Sequence, residues 1–144
     1  MNTDKALLNE NLLSQIRESL TKVPEVLAAY VVGSVAQGVA GAESDFDLAV
    51  VVKSRRRVSE DDVYELIRHL EFPRDLDLSV VDKGSSPLFL FQIISKGKRV
   101  YEGTREMAVE FEAWAMKNYY DTAHMRNIYN RYLKEKFTNY TYAG

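Results

Sequence analysis

The chain has 144 residues, 46% of them hydrophobic and 28% charged, with a formal net charge of −2. That length suits one domain with a real core and leaves no room for a separate substrate domain, so 1–144 reads as a single unit and a large substrate would need surfaces from a partner. The charge offers no general attraction to nucleic acid, and the lack of cysteine excludes disulfides, zinc–thiolate sites and thiol nucleophiles together.

The N-terminal stretch "MNTDKALLNENLLSQI" has charged and amide residues among its apolar positions, unlike a signal peptide. No apolar run approaches the roughly 18 residues of a membrane span, which makes cytoplasm the expected compartment. Thr3 is the expected N-cap of a first helix carrying Leu7, Leu8, Leu12, Leu13, Ile16 and Leu20, with Pro24 marking its end. "VLAAYVV", "DFDLAVVV", "RDLDLSVV" and "KRVYEG" then read as four strands. Between the second and third, "SEDDVYELIRHL" is a helix whose Ser59 and Asp62 resemble a capping box. Ser86 and Pro87 open the helix "PLFLFQIIS", since proline suits a first helical turn. Thr104 opens the longest helix, expected to run to about Phe137 with Phe111, Trp114, Ala115, Tyr119, Met125, Ile128, Tyr129 and Tyr132 as its apolar side, ahead of a short tail over 138–144. Elements of both kinds around one sheet predict a small α/β (α+β) domain, with a core over about 27–103.

The segment "VVGSVAQGVAGAESDFDLAVVV" carries the chemistry. Side chains alternate along a strand, so Asp45 and Asp47 emerge on one face together with Ala49 and Val51, while Phe46, Leu48 and Val50 take the other. Two ionised carboxylates that close repel each other unless a cation neutralises them, and oxygen ligands of this kind suit magnesium, with manganese as the other candidate. Gly33 has no Cβ, so backbone N–H groups there can approach a phosphate, and Ser34 adds a hydroxyl. This is no Walker loop: Gly33 and Gly38 have its spacing, but Val39 and Ala40 stand where Lys and Ser or Thr are required. Asp75 and Asp77 share a face of the third strand. Asp77, inside the apolar run, is the preferred third acid, and Asp75 at the strand's edge is the alternative. Three carboxylates can hold two magnesium ions about 4 Å apart, a clamp for in-line phosphoryl displacement.

Gly33-Ser34, ten residues, then Asp45-Phe46-Asp47 resembles the signature of the DNA polymerase beta-like nucleotidyltransferase superfamily in its minimal (MNT) form. "LDLSVVDKGSSPLFLFQIISKGKRVYEG" and "FEAWAMKNYYD" are similar to the third-aspartate strand and C-terminal helix of MNT antitoxins paired with HEPN ribonuclease toxins, so the resemblance spans Leu27 to Asp121. It implies that Gly33 and Ser34 hold the triphosphate of ATP, that Asp45 and Asp47 carry its metal, and that Asp77 helps hold a second metal beside the acceptor hydroxyl. It further implies an antitoxin that transfers AMP to a tyrosine of a partner HEPN toxin and silences it, with pyrophosphate leaving. Many relatives have a basic residue where this chain has Gln37.

Two other functions compete: nucleotidyl transfer to a small hydroxyl compound such as an aminoglycoside, and a non-catalytic antitoxin acting by contact alone. Among single residues, Ser44 is either a phosphate contact or the start of the strand turn. Lys53 to Arg57 read as a solvated loop before a nucleotide or partner contact, and His69 and His124 have no catalytic partners at suitable spacing.

Overall fold

The structure is a computed structural model and describes residues 9–33 and 45–143. In chain order the elements are α1 (Glu10–Thr21), β1 (Val26–Val32), β2 (Phe46–Val52), α2 (Glu60–Ile67), β3 (Leu76–Val81), α3 (Pro87–Lys96), β4 (Lys98–Glu102) and α4 (Arg105–Ala143). The strands form one mixed sheet in the order β3-β2-β1-β4. β1 is antiparallel to both β2 and β4, whereas β2 and β3, joined through α2, are parallel.

The caps follow the local chemistry. Asn9 accepts from the Leu12 N–H at 2.8 Å and starts α1. The Thr3 cap expected from the sequence, with Leu7 and Leu8, lies outside the described residues. Ser59 and Asp62 form the reciprocal capping box of α2, and Ser86 caps α3 with Pro87 in its first turn.

Each central strand is covered on both faces. Leu12, Leu13, Ile16 and Leu20 of α1 and Val63 and Ile67 of α2 pack against Phe46, Leu48 and Val50 on one face. Leu90 and Ile93 of α3 and Ala108, Phe111 and Ala115 of α4 pack against Ala28, Tyr30, Ala49 and Val51 on the other. Double coverage explains why β1 and β2 read as continuous apolar runs rather than alternating ones. On the α1 side, the Arg17 Nε–H donates to the Val100 carbonyl at 2.9 Å and ties the helix to the edge strand β4.

The α4 face holds one polar knot. Glu112 accepts from the Tyr30 hydroxyl at 2.6 Å and from Arg99 at 2.7 Å, and Arg99 also pairs with Glu102 at 3.2 Å. Burial first, and then the hydrogen bond to Glu112, push the Tyr30 phenol well above its usual range, so it stays a donor at any physiological pH. Tyr30→Phe should leave a charged acceptor short of one bond and lower stability by about 1.5–3 kcal/mol, read from urea unfolding at unchanged m.

α4 departs from the sequence reading in two ways. It continues past Phe137 to Ala143, with no separate tail over 138–143. Its expected apolar side divides: Phe111 and Ala115 are core and Trp114 and Tyr119 half-buried, whereas Met125, Ile128, Tyr129 and Tyr132 are exposed. Helical spacing predicted an apolar stripe correctly, but the sheet is too small to cover a helix of about 58 Å. Among the described residues, no helix is long and apolar enough to cross a membrane.

Candidate active site

Strand direction assembles the acids. Because β2 and β3 are parallel, both begin at the same end of the sheet, and the register sets Asp47 directly opposite Asp77. Antiparallel pairing would have carried Asp77 toward the other end. On the opposite side of β2, Asp47 faces Val32, the residue before Gly33. Both aspartates lie on the face shared with Ala49, Val51 and Val81, the side packed by α3 and α4.

Asp45 joins them just ahead of β2. Asp45, Asp47 and Asp77 each offer a carboxylate oxygen, and these oxygens lie within 4.8 Å of one another. Asp45 and Asp77 are exposed and Asp47 is half-buried. Burial raises the Asp47 pKa above the usual carboxylate range, and the charge of Asp77, a hydrogen bond to it and the charge of Asp45 raise it further. Like charges gathered on one spot with oxygen donors only are what a hard divalent cation neutralises, so the donor set fits magnesium or manganese. Asp75 contributes differently: its backbone carbonyl accepts from the Phe46 N–H at 2.8 Å, and its carboxylate is not in the cluster.

Gly33 closes the site from β1. Its φ of 73° is in the left-handed region, and a Cβ there would stand 2.5 Å from Asp47 Oδ2. The backbone conformation favours glycine, and a Cβ there would push the Asp47 carboxylate aside. The structure therefore brings Gly33, Asp45, Asp47 and Asp77 together. Ser34 and Ser44, with Gln37, Gly38 and Gly41, lie outside the described residues. Lys53 to Arg57 sit at the far end of β2, about 20 Å from its start, where Arg57 pairs with Glu25 at 3.6 Å. His69 and His124 are exposed.

Comparison with known proteins bears on the fold and the family. None of the curated proteins matches the chain. Three similar solved structures are of toxin–antitoxin systems. A mutant of the toxin-antitoxin MntA-HpeT shows 23% identity over 87% of this chain and 98% of its own, with a TM-score of 0.63. A toxin-antitoxin structure with AMP-PNP shows 21% identity over 84% of this chain and 98% of its own, TM-score 0.60. A tri-AMPylated Shewanella oneidensis HEPN toxin in complex with MNT antitoxin shows 18% identity over 86% and 98%, TM-score 0.55. At these identities the likeness is one of fold. Residues 14–106, more than half of the chain, match the family described as Polymerase beta, Nucleotidyltransferase, and the chain belongs to that family.

Proposed function

We propose that this protein is the antitoxin of a HEPN/MNT pair and transfers AMP from ATP to a tyrosine hydroxyl of its partner ribonuclease toxin, silencing it. The observation that carries the reading is the convergence of Asp45, Asp47 and Asp77 within 4.8 Å beside Gly33. The fold shared with MNT antitoxin structures, one of them in complex with a tri-AMPylated toxin, supports the choice of acceptor.

Asp45, Asp47 and Asp77 would hold the divalent metal, which supplies charge neutralisation at the phosphates and at the acceptor oxygen. Gly33, and Ser34 beyond it, would let the nucleotide's phosphates approach the end of β1, because no Cβ stands in the way. The phenolic oxygen forms a bond to the α-phosphorus as the bond from that phosphorus to the α–β bridging oxygen breaks. Pyrophosphate leaves with the electron pair, and the phenolic proton passes to water. The acceptor tyrosine arrives on the partner, so its positioning needs a docking surface on this chain. The exposed Met125, Ile128, Tyr129 and Tyr132 on α4 offer an apolar face for it.

The test is to incubate the chain with ATP, magnesium, its partner ribonuclease and an aminoglycoside, and to weigh both proteins and the aminoglycoside. The expected result is a gain of one or more AMP units on the partner alone, with ribonuclease activity falling in step. Inhibition that proceeds equally without nucleotide would replace catalysis by contact, and AMP found only on an aminoglycoside would move the acceptor to the small-molecule class.

A further inference from the structure

Three carboxylates next to a triphosphate make an intensely negative site, and the chain between Gly33 and Asp45 offers it no cation: "SVAQGVAGAES" contains neither lysine nor arginine. A side-chain cation that adds to the metal's charge at the phosphate tail would come from another element. The sheet register identifies which elements reach this end. Asp77 of β3, Asp47 of β2 and Val32 of β1 stand in one row across the ladder. Gly97, between α3 and β4, continues the row, since a Cβ on it would come 2.8 Å from Val32 Cγ1 and 3.3 Å from Tyr30 Cβ.

Lys96 is the residue before Gly97 and the last of α3. It is exposed and has no hydrogen-bond or ion-pair partner among the described residues. Its direction follows from the helix. Phe91 stacks on Tyr119 at 4.0 Å and so marks the flank of α3 that is turned to α4. At 100° per residue Lys96 lies about 140° round the axis from Phe91, on the flank turned away from α4. α4 packs over β1 and β4, so that other flank is the side of β2 and β3, where the acids are. A lysine stem is long enough to span the roughly 4.8 Å between neighbouring strands, so its ammonium group is within reach of the end of β1 at Gly33.

Two rival cations at this end are placed less well. Lys98 pairs with Val31, whose side chain is in the core on the α1 face, so it leaves the sheet on the side opposite the acids. Arg74 precedes β3 at the outer edge, is half-buried and is already engaged. The geometry points to Lys96 as the cation that holds the β- and γ-phosphates of the nucleotide and the pyrophosphate that leaves. This rests on the nucleotidyltransferase reading given above and assigns the phosphate tail of that site to a residue outside the glycine-serine and aspartate signature.

The test uses the full chain, magnesium and α,β-methylene-ATP, whose α–β bridge is not cleaved, with calorimetry as the readout. Lys96→Gln should fold as the wild type does by circular dichroism and raise the dissociation constant about tenfold, the scale of one charge-assisted contact. Its affinity for AMP, which lacks the phosphate tail, should not change. Lys96→Arg should retain most of the affinity, and Lys98→Gln should bind like the wild type. If Lys96→Gln binds the analogue as tightly as the wild type while Asp47→Asn does not, the assignment of Lys96 is overturned and the nucleotidyltransferase reading stands. If Lys96→Gln weakens AMP and the analogue equally, the effect is not on the phosphate tail and the assignment also fails. If the wild type itself does not bind the analogue with magnesium, both readings fall.

Discussion

Asp47→Asn should lower AMP transfer at least about 10³-fold, a loss of roughly 4 kcal/mol of transition-state stabilisation, while leaving the fold intact. Asp47 occupies the centre of the row, with Asp77 opposite it on β3, Val32 opposite it on β1 and Asp45 two residues before it. Asparagine keeps the size of the side chain and removes the charge that a metal would need. The measurement is single-turnover transfer from labelled ATP to the partner toxin at saturating magnesium. Transfer within tenfold of the wild type by a folded Asp47→Asn protein would sink the metal assignment.

The same substitution should have the opposite effect on the stability of the metal-free protein. Burial and the two neighbouring carboxylates raise the native pKa of Asp47 above its unfolded value of about 3.9. Within that window the native state binds more protons than the unfolded chain, so stability falls as pH rises from the unfolded pKa to the native one. Above the window the penalty is fully present. In EDTA, Asp47→Asn should therefore melt higher than the wild type at neutral pH, and the difference should vanish as the pH falls toward 4. Magnesium should stabilise the wild type increasingly over the same rise in pH. Equal melting temperatures in EDTA at every pH would mean that Asp47 carries no native-state penalty.

Much of this site was legible because it is written in local periodicity. "VLAAYVV" is β1 residue for residue, and alternation alone set Asp45 and Asp47 on one face with Ala49 and Val51. The preference for Asp77 over Asp75 also followed from position within an apolar run, and the cluster contains Asp77. What local pattern does not encode is which strands pair and in which direction. The parallel register that sets Asp77 against Asp47 is a long-range fact, as is the row that brings Gly97 and Lys96 to the end of β1. The Tyr30–Glu112–Arg99 knot joins residues 82 positions apart and left no trace in composition. α4 shows the reverse limit. Its spacing announced an apolar stripe, but spacing does not say whether a covering surface lies within the same chain, and among the described residues none covers Met125 to Tyr132.

Gly33→Ala tests the coupling between the two halves of the site. The glycine holds a φ of 73°, where an L-residue costs roughly 1–2 kcal/mol, and the new methyl would stand 2.5 Å from Asp47 Oδ2. Backbone at this point is tied into the end of β1, so the carboxylate is the part that yields. Stability should fall by about 1–3 kcal/mol, with the lower figure if Asp47 rotates freely aside. Transfer should fall about 10²-fold, because displacing a ligand by an ångström misplaces everything it holds. The argument has a sharper form in a double-mutant cycle. If Gly33→Ala acts through Asp47, then adding it to Asp47→Asn should cost little further transfer, far less than the product of the two single effects. Fully multiplicative losses would show that Gly33 serves the nucleotide independently, through the approach of its own backbone to the phosphates, and that the contact with Asp47 is incidental to catalysis.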